Sequence, residues 1–188
     1  MKHKGTITLE TDRLILRQFT KEDIMPSFQN WTNDETMTKY LTWQPHGTIE
    51  VTENILSEWI EKYKTPDFYQ WAIVPKSENE VIGVISVVSF NEEVGIANIG
   101  YCIGSKWWNM GYTSEAFATI IPFLFEQVEV QRIAAAYDPN NPNSGRVMKK
   151  CGLQYEGTLR KASKNNQGIN DLCIYSILSS DYFQNDKK

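Results

Sequence analysis

IGYCIGSKWWNMGYTSEA, residues 99–116, is the stretch on which the reading of this chain turns. A short apolar strand reaches Ile103, a turn crowded with Trp107 and Trp108 follows, and Gly111 stands at the mouth of a helix. A strand that enters a helix through a glycine turn leaves several backbone N–H groups unpaired at the positive end of the helix dipole, which suits a phosphate. A phosphate-bearing cofactor is therefore the first expectation. The lysine-containing P-loop pattern and the three-glycine dinucleotide fingerprint are both missing, so neither ATP nor NAD is expected.

A second strand, turn and helix lies about thirty residues on. After the apolar run Ile133 to Tyr137 comes DPNNPNSGRVMKKCGL, residues 138–153. Asn141 is placed to cap the helix, and Ser144, Val147, Met148 and Cys151 share one of its faces. Gly152 with Leu153 is a helix stop with an apolar contact.

NPNSGRVMKKCGL resembles the Asn-x-x-Ser-x-Arg-Val-x-x-Lys-x-Gly segment of the GNAT superfamily of N-acetyltransferases, and WWNMGYTSEA resembles that superfamily's acetyl-CoA pyrophosphate loop. The N-terminal stretch TDRLILRQFTKED (11–23) is similar to the opening of the branch that includes the ribosomal-protein-alanine N-acetyltransferases, and QWAIVPKSENEVIGVISV (70–87) to its central hairpin. The likeness spans about residues 7–178 and implies one N-acetyltransferase domain over residues 1–188.

Composition sets the bounds. A chain of 188 residues can bury roughly 70% of its unfolded surface in one domain without disulfides or metal. Cys102, Cys151 and Cys173 are odd in number, widely spaced and set among apolar residues, which reads as reduced core thiols of a cytoplasmic protein rather than a nucleophile. A formal charge of −4 argues against a general nucleic-acid binder and suits an amine substrate. MKHKGTITLETDR has no apolar signal core, and no apolar run approaches the ~20 residues of a membrane span.

Along the chain, residues 6–18 alternate as one strand through Ile7, Leu9, Leu14 and Leu16. Thr20 with Asp23 marks the start of an irregular helical region reaching about Leu41. TWQPHGT (42–48) is a loop, and Thr48 opens a helix to about Tyr63 with Val51, Ile55, Trp59 and Ile60 on one face. Strand periodicity then covers Gln70–Val74, Val81–Phe90 and Ile96–Ile103. The helix from Gly111 to Glu126 contains Pro122, which predicts a kink or early stop. Strands near 131–137, 153–160 and 169–178 complete the count, and the last five or so residues look frayed. The pattern is α/β or α+β. The resemblance implies more: a bent, mixed, mostly antiparallel sheet of about seven strands flanked by helices, with the fourth and fifth strands splayed into a slot for the pantetheine arm.

The resemblance also distributes roles. Backbone N–H groups of Asn109, Met110, Gly111, Tyr112 and Thr113 would hold the pyrophosphate, beside Trp108, where Gln or Arg is usual in the superfamily. Asn109 stands at a position often Gly, and Thr113 replaces Gly or Ala. The strand Tyr101, Cys102, Ile103 would pair with pantetheine and offer an N–H to the oxyanion. Relatives often place a Tyr on the second helix to protonate the departing thiolate. Met148 stands there, leaving Ser144 as the candidate donor, and Asn141 and Ser144 would also touch the coenzyme; a first-turn hydroxyl bonded to backbone is the plainer reading of Ser144, and a simple cap that of Asn141. Asn98 occupies the place before Ile99 where the branch often carries Glu, so the base is open among Glu92, Glu93, His46 and a water relay. Trp43, His46 and Asn98 are the residues expected to meet the acceptor; an ordinary packed indole and a surface imidazole are the plainer readings of Trp43 and His46. Arg146, Lys149 and Lys150 are either a solvated face or neighbours of the coenzyme phosphates. No metal is expected.

Direct attack of an amine on a thioester needs that amine neutral. At pH 7 this costs about 1 kcal/mol for an α-amine and about 4.6 kcal/mol for a lysine amine, so an N-terminal amine tolerates a weak base. An acetyl-CoA-dependent transfer to a protein or peptide N-terminus is the expectation. The alternatives are a small-amine (polyamine or antibiotic) acetyltransferase and a non-catalytic acyl-CoA-binding module. A monomer or homodimer fits equally.

Overall fold

The computed structural model describes residues 1–185. Its frame is one eight-stranded sheet in the order β1-β2-β3-β4-β5-β6-β8-β7, antiparallel throughout except for the central β5–β6 pair. Residues 6–18 do not make one strand: β1 (Leu9–Glu10) and β2 (Leu14–Arg17) are two antiparallel arms. The cause is Thr11, whose N–H donates to the Leu14 carbonyl at 3.0 Å while its hydroxyl accepts the Leu14 N–H at 2.8 Å. Alternating apolar residues satisfy either arrangement, so the count is eight strands rather than seven.

The Thr20–Asp23 signal does start the irregular helical region. The Thr20 N–H donates to the buried Asp23 carboxylate at 2.8 Å, and Arg17 clamps the same carboxylate at 2.6 and 2.8 Å. A short 3-10 turn leads into α1 (Ile24–Ser27), a wide π turn (Phe28–Thr32) and α2 (Glu35–Thr38). Helix α3 (Ile49–Lys62) follows Thr48 as expected, but Thr52 and Leu56 are its buried positions; Val51, Ile55 and Trp59 line a cavity instead.

β3 (Gln70–Pro75) is buried along its whole length because both faces of the sheet are covered. Trp71 and Ile73 join the core under α4 with Ile85, Ile99 and Phe117. Ala72 and Val74 join Phe19, Trp31 and Leu56 on the opposite face. β4 (Gly83–Asn91) and β5 (Ile96–Ile103) form the central hairpin.

Helix α4 (Tyr112–Pro122) ends at Pro122, as that residue's missing N–H demands. The chain goes on as a π turn (Phe123–Val128), closed by Glu129 in the left-handed region at φ 62°. β6 (Arg132–Tyr137), α5 (Pro142–Lys150), β7 (Gln154–Asn165) and β8 (Gly168–Leu178) complete the sheet. Of the last five or so residues expected to fray, 184 and 185 close the helix α6 (Ser179–Asn185); 186–188 lie outside the described residues. No helix among the described residues is long and apolar enough to cross a membrane.

The sheet positions the site through one interrupted pairing. β5 and β6 pair in parallel from Ile96↔Arg132 to Ile99↔Ala135 and then part. Beyond that point Gly100–Ile103 keep β4 as partner, and Ala136–Tyr137 keep β8. One edge of Gly100–Ile103 thus faces a gap with no strand opposite. The expected splay is present, between the fifth and sixth of eight strands.

Candidate active site

The mouth of the gap is the Trp108–Thr113 turn. Asn109 and Gly111 both hold left-handed backbone, at φ 63° and 81°. Asn is among the few residues that tolerate that region, so it serves here in the place of the usual glycine. The N–H groups of Tyr112, Thr113 and Ser114 precede the first helical bond of α4, Glu115 N to Gly111 O at 3.0 Å, and have no helical acceptor. With Arg146 and Lys150 they line a recess of about 190 Å³. Free N–H groups, a helix N-terminus and two basic side chains together suit a diphosphate.

Arg13 fixes this turn from behind. Its guanidinium donates to Glu115 Oε2 at 2.7 Å and to the Met110 carbonyl at 3.0 Å, and lies 4.8 Å from the Tyr112 ring centre. Burial pushes the Glu115 carboxyl up, but hydrogen bonds from Thr11 and Arg13 outweigh it and hold the group below its ordinary value. Trp108 donates its indole N–H to the Ile103 carbonyl at 2.9 Å, joining the turn to the end of β5. Trp107 is buried and donates to Glu78 at 2.9 Å.

From the recess a narrow passage of about 110 Å³ runs between β5 and α5, sharing Trp108, Thr113, Asn143 and Val147 with it. The passage opens into a cavity of about 760 Å³, with Leu41, Tyr101, Cys102, Asn141 and Ser144 common to both. Recess, passage and chamber therefore follow one another, with shared walls, from the helix N-terminus to beneath α3 along the unpaired edge of β5. Acyl-coenzyme A has the parts this path asks for: a diphosphate, a slender arm with amides, and a terminal thioester.

At the junction of passage and chamber, the Tyr101 hydroxyl lies 2.9 Å from the Ser144 carbonyl and 3.0 Å from the Ser144 hydroxyl. Burial raises the Tyr101 pKa above the ordinary tyrosine value, so the phenol stays protonated. Ser144 is thus engaged with Tyr101 and not with its own helix turn. Asn141 sits at the N-cap of α5, yet its side chain makes no capping bond; it faces the channel. Met148 is buried in the core. Gly145 is required by packing, since a Cβ there would fall 2.5 Å from the Tyr137 ring.

The remaining expected positions divide. Trp43 and His46 line the chamber. His46 Nδ1 lies 2.8 Å from the buried Thr52 hydroxyl, and burial lowers the imidazole pKa, leaving it neutral at pH 7. Asn98 is not in the lining; its amide donates to Ser89 at 3.0 Å. Glu92 and Glu93 belong to the β4–β5 turn, at the other end of the hairpin from Cys102, and neither lines the chamber. Cys102 reaches the chamber wall, but burial pushes its thiol to about 12. Cys151 is pushed by burial to about 11, so neither supplies a thiolate. No cluster of three or more metal-binding side chains occurs among the described residues.

Sequence reasoning missed three contributors. Asp138 is buried in the chamber wall, where its carboxylate accepts from Asn140 N at 2.9 Å and from Asn165 Nδ2 at 2.7 Å. Asn166, in the β7–β8 turn, donates to the carbonyls of Thr38 at 2.9 Å and Trp43 at 2.7 Å, so the hairpin tip clasps the acceptor-side loop. Trp31, fully buried, forms the chamber's inner wall. Only the Asp-Pro-Asn turn at 138–140 carried a local sign of any of this.

Residues 13–154 match the acetyltransferase (GNAT) domain family. The chain belongs to that family. This GNAT acetyltransferase is 32% identical over 170 residues to the uncharacterized N-acetyltransferase YoaA of Bacillus subtilis (strain 168), covering 90% of this chain and 96% of the relative. It is 26% identical over 157 residues to the [ribosomal protein uS5]-alanine N-acetyltransferase of Escherichia coli (strain K12), covering 80% of each. The fold is shared with the microcin C7 self-immunity acetyltransferase MccE, solved in complex with acetyl-CoA and AMP, at TM-score 0.80 and 20% identity over 89% of this chain and 93% of that one.

Proposed function

We propose that this N-acetyltransferase uses acetyl-CoA to acetylate the N-terminal amine of a protein or peptide by direct attack, in one cytoplasmic domain of about residues 7–178. The observation that carries the reading is the channel from the Gly111 turn, along the free edge of Tyr101–Ile103, to the chamber. The N–H groups of Asn109 to Thr113, with Arg146 and Lys150, hold the diphosphate; the free strand edge holds the pantetheine amides. The donor supplies the electrophilic thioester carbonyl, and an N–H of the same strand edge faces the oxyanion. The amine nitrogen bonds to the acyl carbon as the carbon–sulfur bond breaks. Its surplus proton passes to His46, the neutral imidazole of the lining, directly or through water. The Ser144–Tyr101 pair donates toward the departing sulfur.

An α-amine is favoured over lysine by its lower cost of neutralisation, and the Escherichia coli relative is named for an alanine of a ribosomal protein. The test is calorimetry with acetyl-CoA, followed by thiol release with a peptide bearing a free N-terminus and no lysine, against its N-blocked, lysine-containing counterpart. Micromolar coenzyme binding and turnover of the first peptide alone are expected. Turnover of the blocked peptide at an equal rate would transfer the assignment to lysine.

A further inference from the structure

Eight aromatic rings line the chamber; besides Tyr101 and Tyr137 on the β5–β6 side, they are those of Trp31, Tyr40, Trp43, His46, Trp59 and Phe68. Four of them form a connected wall: Trp31 and Trp59 are stacked with ring centres 6.5 Å apart, Trp43 meets Trp31 edge-on at 6.3 Å, and His46 lies 5.3 Å from Trp43. The rim carries exposed Val51 and Val88. Aromatic faces in such a wall offer stacked and edge-to-face contacts to another ring.

Charge narrows the occupant. Among the described residues no Lys or Arg lines the chamber, and Asp138 is its one carboxylate. That carboxylate already accepts hydrogen bonds from Asn140 and Asn165. A polyamine or aminosugar would bring several ammonium groups to a place with one partner, and an acidic side chain would meet no cation; both lose hydration without return. Trp31 adds an indole N–H that is buried in this wall with no hydrogen-bond partner among the described residues, a donor that a carbonyl or hydroxyl reaching it would satisfy.

We infer that the acceptor presents its amine on a residue with an aromatic side chain, whose ring packs against Trp43 and Trp59 while the amine points toward Ser144. The inference rests on the N-terminal reading above and specifies the first residue.

The test is kcat/KM for hexapeptides identical except for Ala, Ser, Leu, Phe, Trp, Lys or Asp at the first position, with 2-phenylethylamine and tryptamine as non-peptide acceptors. The Phe and Trp peptides are expected to exceed the Ala peptide about tenfold, with Lys and Asp below Ala. Trp43→Ala and Trp59→Ala should each pull the Phe-to-Ala ratio toward one, with the melting curve and coenzyme Kd checking that the fold survives. An Ala or Ser peptide equal to the aromatic ones, or a ratio that survives both substitutions, overturns the inference. Turnover of the two free amines, dependent on Trp43 and Trp59, with every peptide silent, would remove the N-terminal reading and keep the aromatic one. Silence toward both sets overturns both.

Discussion

The hydroxyls of Tyr101 and Ser144 lie 3.0 Å apart across the place where β5 and β6 separate. One side chain comes from the strand whose free edge lines the channel and the other from the first turn of α5. A hydroxyl pair here stands where a coenzyme thiol would leave. If the pair acts as one donor, Ser144→Ala lowers kcat about 100-fold, with coenzyme Kd nearly unchanged. Tyr101→Phe should cost a similar factor, and the double variant little more than either, because residues acting as a unit are not additive. Steady-state kinetics beside calorimetry decides it; additive losses would mean two independent roles.

Gly111 and Asn109 give a paired prediction in one loop. A side chain at Gly111 has room, since its Cβ would lie 3.5 Å from Arg13 Nη2 and 3.8 Å from Lys150 Nζ. The obstacle is its φ of 81°, which costs a residue with a Cβ about 1–2 kcal/mol. Gly111→Val should therefore either destabilise the protein by that amount or flatten the turn, and in both cases weaken acetyl-CoA at least about tenfold. Asn109→Gly keeps the backbone region that Asn109 already occupies and should leave Kd within about twofold. Equal affinity for wild type and Gly111→Val would show that the turn is not the cradle.

What was legible in the sequence follows from the range of the interactions. The two strand–turn–helix units rest on neighbours in sequence: Gly111 with its helix, and Asn141 through Gly152 with theirs. Their places and bounds are close to those expected. The turn at Thr11 was not legible, because Leu9 and Leu16 face one another across β1 and β2 and alternate as well in a single strand. Nor were the long-range bonds of Asp138, Asn165 and Asn166, which span 27 to 128 residues. Analogy of position places Asn98 on the acceptor side, whereas beside the β-bulge between Val87 and Ser89 it is paired with Ser89 and donates its amide to that hydroxyl. Bulges and turn clasps of this kind are tertiary events that local pattern does not encode.

The Asn166 clasp has a measurable consequence. The hairpin tip holds the 38–44 loop by three side-chain bonds, two donated by the Asn166 amide to the Thr38 and Trp43 carbonyls and one accepted from Gln44 at 2.6 Å, and by Asn166 N to the Leu41 carbonyl at 3.0 Å. Asn166→Ala removes the side-chain bonds and keeps the backbone one. Acceptor KM should rise about fivefold or more while coenzyme Kd holds, because Trp43 belongs to the chamber and not to the diphosphate recess. A matched loss of coenzyme affinity would place the clasp in general stability.

Arg13 and Glu115 link the β1–β2 turn to the coenzyme loop, and their contribution has a defined pH window. Glu115 is held below its ordinary pKa in the folded chain, so its contribution is complete above the unfolded value of about 4.3. It is lost as pH falls through the lower folded value. Glu115→Gln should accordingly melt below wild type at pH 7, with the two curves converging as the pH drops from about 5 toward 3. Arg13 is half exposed, at 48% of its side chain, so the ion pair itself is worth at most about 1 kcal/mol, or about 2–4 °C in a protein of this size. Arg13→Met removes more than the pair, because the Met110 carbonyl loses its donor and Tyr112 its stacked guanidinium. Its acetyl-CoA Kd should rise by a larger factor than that of Glu115→Gln. Equal shifts in the two variants would assign the effect to the ion pair alone and leave the Met110 bond without a part in shaping the turn.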